Sequence, residues 1–312
     1  STLRAFMTPT IPSRSWLIGI AAMLTALFFW SVIPLILIYF THLIDPWTAN
    51  GSRYFFAAAF WVPFVLRSMR QKTPAARRAA WGAALAPAVA HILSQIFFGI
   101  APYYNSATVM NFGCRLSIPF ATLFGFWMLR GERPLARVPL FWFGLLIALG
   151  SFFLMFADGQ EVAGASVRGL LVLLGFAISW GLYVVFVRRN LSAYPAHLAY
   201  GLVSLLTGGA LLVLMFAVGE WRALAALNLT QWLWLILSAL LGLTLGHVFY
   251  YRAIRIMGPI AAESGMLLIP FQTAVFAALL LGERMTAGQW VAGLFLVLGC
   301  AVILRARFKV RG

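Results

Sequence analysis

The chain has 312 residues, of which 63% are hydrophobic and 10% charged, with a mean hydropathy of +0.93 and a net charge of +16. A soluble domain carries roughly 25% charged residues, so most of this surface is expected to face something other than water. The basic residues fall between apolar runs, which points to membrane orientation rather than nucleic acid.

Taken in order, the apolar runs predict an all-α integral membrane protein with ten transmembrane helices, at 16–40, 46–67, 80–100, 103–129, 137–156, 168–188, 195–218, 230–250, 257–281 and 286–305. The first run is too long for a signal-peptide core, and the linkers leave no soluble domain over. With the N-terminus inside, 18 Lys and Arg fall on the inner side and only Arg168, Arg222 and Arg284 on the outer side. Both termini are therefore expected in the cytoplasm. Cys114 and Cys300 fall within predicted helices, so both are expected as free, buried thiols.

One stretch occurs twice. Leu116-Ser-Ile118-Pro119-Phe120-Ala-Thr122, leading to Gly131-Glu132-Arg133, returns as Leu267-Leu-Ile269-Pro270-Phe271-Gln-Thr273 and Gly282-Glu283-Arg284, at one offset of 151 residues. Trp30 and Trp180, and Gly19 and Gly169, match at 150; Gly144 and Gly293, and Gly150 and Gly299, match at 149. The chain thus reads as two five-helix repeats, 1–160 and 161–312, forming one transport domain. Five is odd, so the second repeat enters the membrane inverted, an arrangement typical of transporters.

Five plus five spans, a Trp in the first span of each half and the twice-used L-x-I-P-F-x-T…G-E-R resemble the EamA-type branch of the drug/metabolite transporter superfamily, over nearly the whole chain. Within it the chain looks most like the YddG-type aromatic amino-acid exporters. The resemblance implies a bacterial inner-membrane exporter of amino acids, aromatic or large apolar ones, or of related small metabolites. The path would be a central cavity, with the fifth and tenth helices peripheral.

Several polar stripes could line such a cavity. Tyr104, Thr108, Asn111 and Arg115 share one face of the fourth span, and Glu263, Met266, Pro270 and Thr273 one face of the ninth. A charge at the bilayer centre costs about 2.5–3.5 kcal/mol or more, so Arg115 calls for a reason. It could take the carboxylate of a zwitterion while Glu263 holds the ammonium. Glu263 could instead couple protons, or both could belong to a structural network. His91, Gln95 and Phe98 form a stripe on the third span, and Thr244, His247, Tyr250 and Tyr251 cluster on the eighth. A lone histidine is more often a packing residue than a proton relay, and no carboxylate or cysteine stands at ligand spacing for a metal. Trp30, Trp180 and Tyr183 complete the cavity candidates. Arg53 is expected to snorkel outward, away from Glu263.

Pro119 and Pro270, placed mid-helix, should kink their spans and serve as hinges. Glu132 and Glu283 are expected at the rim, paired with arginines or loop amides. No nucleotide-binding, catalytic or metal motif is present, so no enzyme activity and no cofactor are expected. The expected partners are a small-molecule solute and the lipid bilayer. An efflux transporter for aromatic cationic drugs, proton-coupled through Glu263, is the alternative.

Overall fold

The structure, a computed structural model, describes residues 14–154, 166–257 and 265–311. Among these there is no strand. The helices are α1 (Arg14–Phe40), α2 (Pro46–Arg70), α3 (Pro74–Ile100), α4 (Ala107–Cys114), α5 (Ser117–Met128), α6 (Pro139–Leu154), α7 (Val167–Asn190), α8 (Ala196–Val218), α9 (Leu229–Ser238), α10 (Gly246–Met257), α11 (Ile269–Leu280) and α12 (Ala287–Arg311). A π-helical stretch, Ala239–Leu245, joins α9 to α10.

Among the described residues, seven segments are long and apolar enough to cross a membrane, where ten were expected over the whole chain. They are α1, α3, α4 with α5, α7, α8, α9 through α10, and α12. Helix α2 has the length but carries Arg53, Arg67 and Arg70 with a polar first half. Helices α6 and α11 are apolar, and the expected fifth and ninth spans around them extend into residues outside the described set. Exposed Leu, Phe, Val and Trp side chains stud the outer surface of the bundle, as lipid-facing helices require. The protein is an integral, multi-pass membrane protein.

Helix ends follow local chemistry. Asp45 caps α2 by accepting from Trp47 N at 2.9 Å and Thr48 N at 3.0 Å, with Pro46 at the first helical position. Its other carboxylate oxygen accepts from Glu220 N at 2.9 Å, tying α2 to the loop after α8. Thr73 and Pro74 start α3 in the same way. Asn228 with Gln231, and Thr286 with Gln289, make reciprocal boxes at the starts of α9 and α12.

Helix α1 packs on α10 and α3 on α7; α5 leans on α7 and α11 on α1. Helix α2 crosses α8, α4 meets α11, and α6 lies along α12. Glycines set the closest approaches. A Cβ on Gly51 would lie 2.6 Å from Met215 Cβ, and one on Gly201 2.6 Å from Val65 Cγ2, so α2 and α8 touch almost backbone to side chain. Between α6 and α12, a Cβ on Gly299 would lie 2.6 Å from the Ala148 nitrogen.

The proline spans depart from expectation. The fourth is broken: α4 ends at Cys114, Arg115 and Leu116 turn, and α5 starts at Ser117. Leu267 and Leu268 make the corresponding turn before α11. Pro119 and Pro270 thus sit in the first turn of a new helix, not in the middle of a kinked one. A first-turn residue has no intrahelical acceptor for its N–H, so proline loses nothing there.

Candidate functional site

A cavity lies where α1, α3, α4, α5, α7 and the π stretch converge. Its inner chamber, of about 100 Å³, is walled by Trp30, Arg53, Gln95, Phe98, Asn111, Arg115, Phe176, Trp180, Gly242 and His247, with Cys114, Ser117 and Met266. It is continuous through Trp30, Arg115, Trp180 and His247 with an outer chamber of about 370 Å³. Tyr183, Val187, Tyr250 and the exposed Arg188 line that second chamber. The mouth is therefore at the C-terminal end of α7.

Arg115 stands at the helix break. It is 8% exposed, and the break leaves Asn111 and Met266 carbonyls within reach of its side chain. Nε donates to Asn111 O at 3.3 Å and Nη1 to Met266 O at 3.2 Å. The Arg115 carbonyl in turn accepts from the Cys300 thiol at 3.6 Å. Broken spans that place a charge and free carbonyls at a cavity are what an intramembrane binding site requires. Asn111 donates to Thr273 Oγ1, which donates to Ser31 O at 2.9 Å. That chain fixes α4, α11 and α1 against one another.

Aromatic and imidazole rings form the walls. Trp30 donates from Nε1 to Gly242 O at 2.9 Å, and its ring lies 5.2 Å from His247 and 5.1 Å from Tyr250. His247 stacks on Tyr200 at 4.3 Å. Behind the opposite wall His91 lies 5.8 Å from Trp180, 6.0 Å from Tyr54 and 4.5 Å from Tyr183. Phe176 stacks on Trp180 at 5.5 Å. Flat apolar groups fit such walls by offset stacking.

Most of the expected residues converge here: Trp30, Gln95, Phe98, Asn111, Arg115, Trp180, Tyr183, His247 and Tyr250 all line one of the two chambers. Two do not. His91 is fully buried behind the wall, its Nδ1 3.0 Å from Thr207 Oγ1. Tyr104 precedes α4, in the turn after Ala101–Tyr103, and is 38% exposed. It leaves the helical face it shares on paper with Arg115 because the helix begins only at Ala107. Glu263 lies outside the described residues.

Arg53 reverses its expectation. It does not snorkel; it is fully buried and lines the inner chamber. Nε donates to Ser238 Oγ at 2.9 Å. Sequence had one signal for this, a charge on a span whose neighbours Asn50 and Ser52 are also polar. That pattern marks an inward face.

The far end of the cavity is held by Glu283. Its carboxylate accepts from Ala107 N at 2.8 Å, Thr108 N at 3.3 Å and Thr108 Oγ1 at 3.0 Å. A carboxylate on the first amides of a helix is a favourable, charge-assisted contact. Gly282 makes the reach possible: at φ +67° it ends α11 in the left-handed conformation that costs glycine nothing. The first G-E-R is instead wound into a 3₁₀ helix, Arg130–Arg137.

Comparison with known proteins agrees with this architecture. A solved crystal structure superposes with a TM-score of 0.62, covering 95% of this chain and 98% of its own at 18% identity, which shows a shared fold. An uncharacterized protein of Pseudomonas aeruginosa is 31% identical over 181 residues; the match spans 58% of this chain and 59% of that relative's length. An uncharacterized transporter of Haemophilus influenzae is 22% identical over 69% of this chain and 72% of its own. Residues 167–305 match the EamA-like transporter family. The similarity to that family thus falls on the second half of this membrane protein.

Proposed function

We propose that the protein is a secondary exporter of small amphipathic metabolites, foremost amino acids with aromatic or large apolar side chains. In this reading it works by alternating access in a bacterial inner membrane, with both termini cytoplasmic. The carrying observation is the central cavity, walled by Trp30, Phe176 and Trp180, with Arg115 at a helix break. Arg115 takes the solute's carboxylate, and the rings take its apolar body.

Two features support the inverted five-helix halves on which alternating access depends. The packing partners persist when each helix is exchanged for its counterpart: α1 on α10 answers α7 on α3, α11 on α1 answers α5 on α7, and α2 on α8 answers itself. The rings repeat the arrangement helix by helix, although of them only Trp30 and Trp180 match at the offset of 150. His247 sits between Tyr200 of its own half and Trp30 of the other, as His91 sits between Tyr54 and Trp180. Neither Arg53 nor Arg115 meets a carboxylate among the described residues.

The test is uptake of a labelled amino-acid panel into proteoliposomes, with and without a pH gradient. Phenylalanine-like solutes are expected to move, and a pH gradient changes the rate only if protons are coupled. Arg115→Ala removes a hydrogen-bonded charge worth about 1.5–3 kcal/mol, so the half-saturating concentration should rise about 10- to 100-fold. Unchanged phenylalanine flux through that variant would end the carboxylate assignment.

A further inference from the structure

Arg53 is unlike the other charges among the described residues. It is fully buried, and of its three nitrogens only Nε is bonded, to Ser238 Oγ at 2.9 Å; Nη1 and Nη2 have no hydrogen-bond partner. Ser238 is itself fixed, donating to Leu235 O at 2.7 Å. The fork is thus anchored at its root and open at its tip. Burying a guanidinium without a counter-charge is costly, and a site retains such a group only for something it receives. Arg115, by comparison, has both Nε and Nη1 on carbonyls.

Nor does the helix frame need a charge at this place. Gly51 packs on Met215 as Gly201 packs on Val65, and both pairs are related by 150 residues. At that offset Arg53 corresponds to Val203, which is equally buried. The same crossing is made on one side by an arginine and on the other by a valine.

The surroundings leave the fork a way to the cavity. Gly242 lies in the π stretch beside it: a Cβ there would come within 3.5 Å of Nη2. That is ordinary contact distance, so the π stretch packs directly against the guanidinium tip, and Arg53 and Gly242 line the inner chamber together. π-Helical turns recur at functional sites because they spoil the regular ladder and leave the backbone adaptable. Thr244 Oγ1, two residues further along, is also buried without a partner.

We propose that Arg53 is an oxyanion-binding subsite at the closed end of the cavity, taking a planar carboxylate through Nη1 and Nη2. With Arg115 it makes the cavity doubly cationic. The cavity therefore also takes organic anions with an apolar or aromatic body, which bind more tightly than an amino acid or a cation of the same shape and share the path with the amino acids proposed above. Bidentate pairing of a guanidinium with a carboxylate supplies both charge and geometry. The inference rests on reading the cavity as the solute path but concerns a residue and a charge class which that reading does not include.

The test is equilibrium titration of the full-length protein in nanodiscs with 3-phenylpropionate, phenylalanine and phenethylamine, which share a ring and differ in charge. Wild type is expected to bind the anion most tightly and the amine least. Arg53→Gln should weaken 3-phenylpropionate at least tenfold and leave phenethylamine unchanged, with Arg53→Lys falling between. Unliganded Arg53→Gln should melt no lower than wild type, since it removes an uncompensated charge; a structural arginine would lower the melting temperature and leave the order of the three ligands alone. Equal affinity of wild type for anion and amine, or equal affinity of wild type and Arg53→Gln for the anion, overturns the proposal, and the first comparison needs no variant. Liposome flux separates the two readings. Anion binding without flux would remove the exporter and keep the subsite; phenylalanine flux with no Arg53 dependence of anion affinity would do the reverse.

Discussion

Asp45 joins two helix ends through one carboxylate, and its titration makes that junction pH-dependent. Burial alone would raise its pKa, but the hydrogen bonds from Thr48, Glu220 and Trp47 outweigh that effect and hold it below the ordinary carboxylate value. A depressed folded-state pKa contributes stability above the unfolded value of about 3.9, and the contribution disappears as pH falls through the folded value. Replacing an N-cap costs about 1 kcal/mol, so Asp45→Ala should lower the melting temperature at pH 7. The gap between the two proteins should close below about pH 4. A gap that persists in acid would mean that packing, not the ionised cap, holds the junction. At this scale the sequence is legible where spacing alone decides. Asn111 and Arg115 keep their helical face through to the cavity, whereas Tyr104 loses it because Ser106 caps the helix after it. Direction is the harder matter. A lone arginine on a span can snorkel or turn inward, and only the neighbours Ser238 and Gly242 decide for Arg53.

At the scale of elements, α6 and α12 form a seam whose one link to the cavity, among the described residues, is the Cys300 thiol on the Arg115 carbonyl. No α6 or α12 residue appears in either chamber wall, and their outer faces carry exposed Trp142, Phe143, Leu146, Val291, Leu294 and Leu298. Gly144 and Gly299 bring the two backbones together, so a Cβ on Gly299 meets Ala148 N at 2.6 Å and Gly144 O at 2.7 Å. Backbone cannot yield as the end of a flexible side chain can. Gly299→Val should therefore destabilise the protein by about 1–3 kcal/mol, the usual cost of overpacking, with solute affinity kept in the surviving folded fraction. Thermal unfolding in detergent with parallel titration reads both, and an unchanged melting temperature would show that the seam is looser than its geometry. The repeated glycines at offset 149 hinted at this pair of helices, because small residues at regular intervals permit close helix contact. The proline spans were less readable. Proline reports a missing N–H, but a kink within one helix and the start of another carry the same letter. What separates them is the turn at Arg115 and Leu116, which no residue there dictates.

For the whole molecule, the two ends of the bundle are built differently. At one end α7 finishes beside a chamber that reaches exposed Arg188. At the other, Glu283 of one half grips the first amides of α4 in the other. Each half contributes a G-E-R; among the described residues only Gly282 turns left-handed, while the backbone of the first motif is wound in a 3₁₀ helix. Under the alternating access proposed above, Glu283 would be the latch that closes its end. Because the contact consists of hydrogen bonds to an ionised acceptor, worth about 1.5–3 kcal/mol together at the least, removing the charge should shift the balance between the two openings about 10- to 100-fold. Cys114 lines the inner chamber and offers a native reporter once Cys300 is replaced by Ser. In oriented vesicles, an impermeant maleimide should label Cys114 of the parent only from the Arg188 end. In Glu283→Gln it should label from both ends, and Arg53 and Arg115 should still bind an anion. Labelling that stays one-sided in Glu283→Gln would make the grip on α4 a static cap and place the gate elsewhere. A loss of all labelling would show that the latch also holds the cavity open.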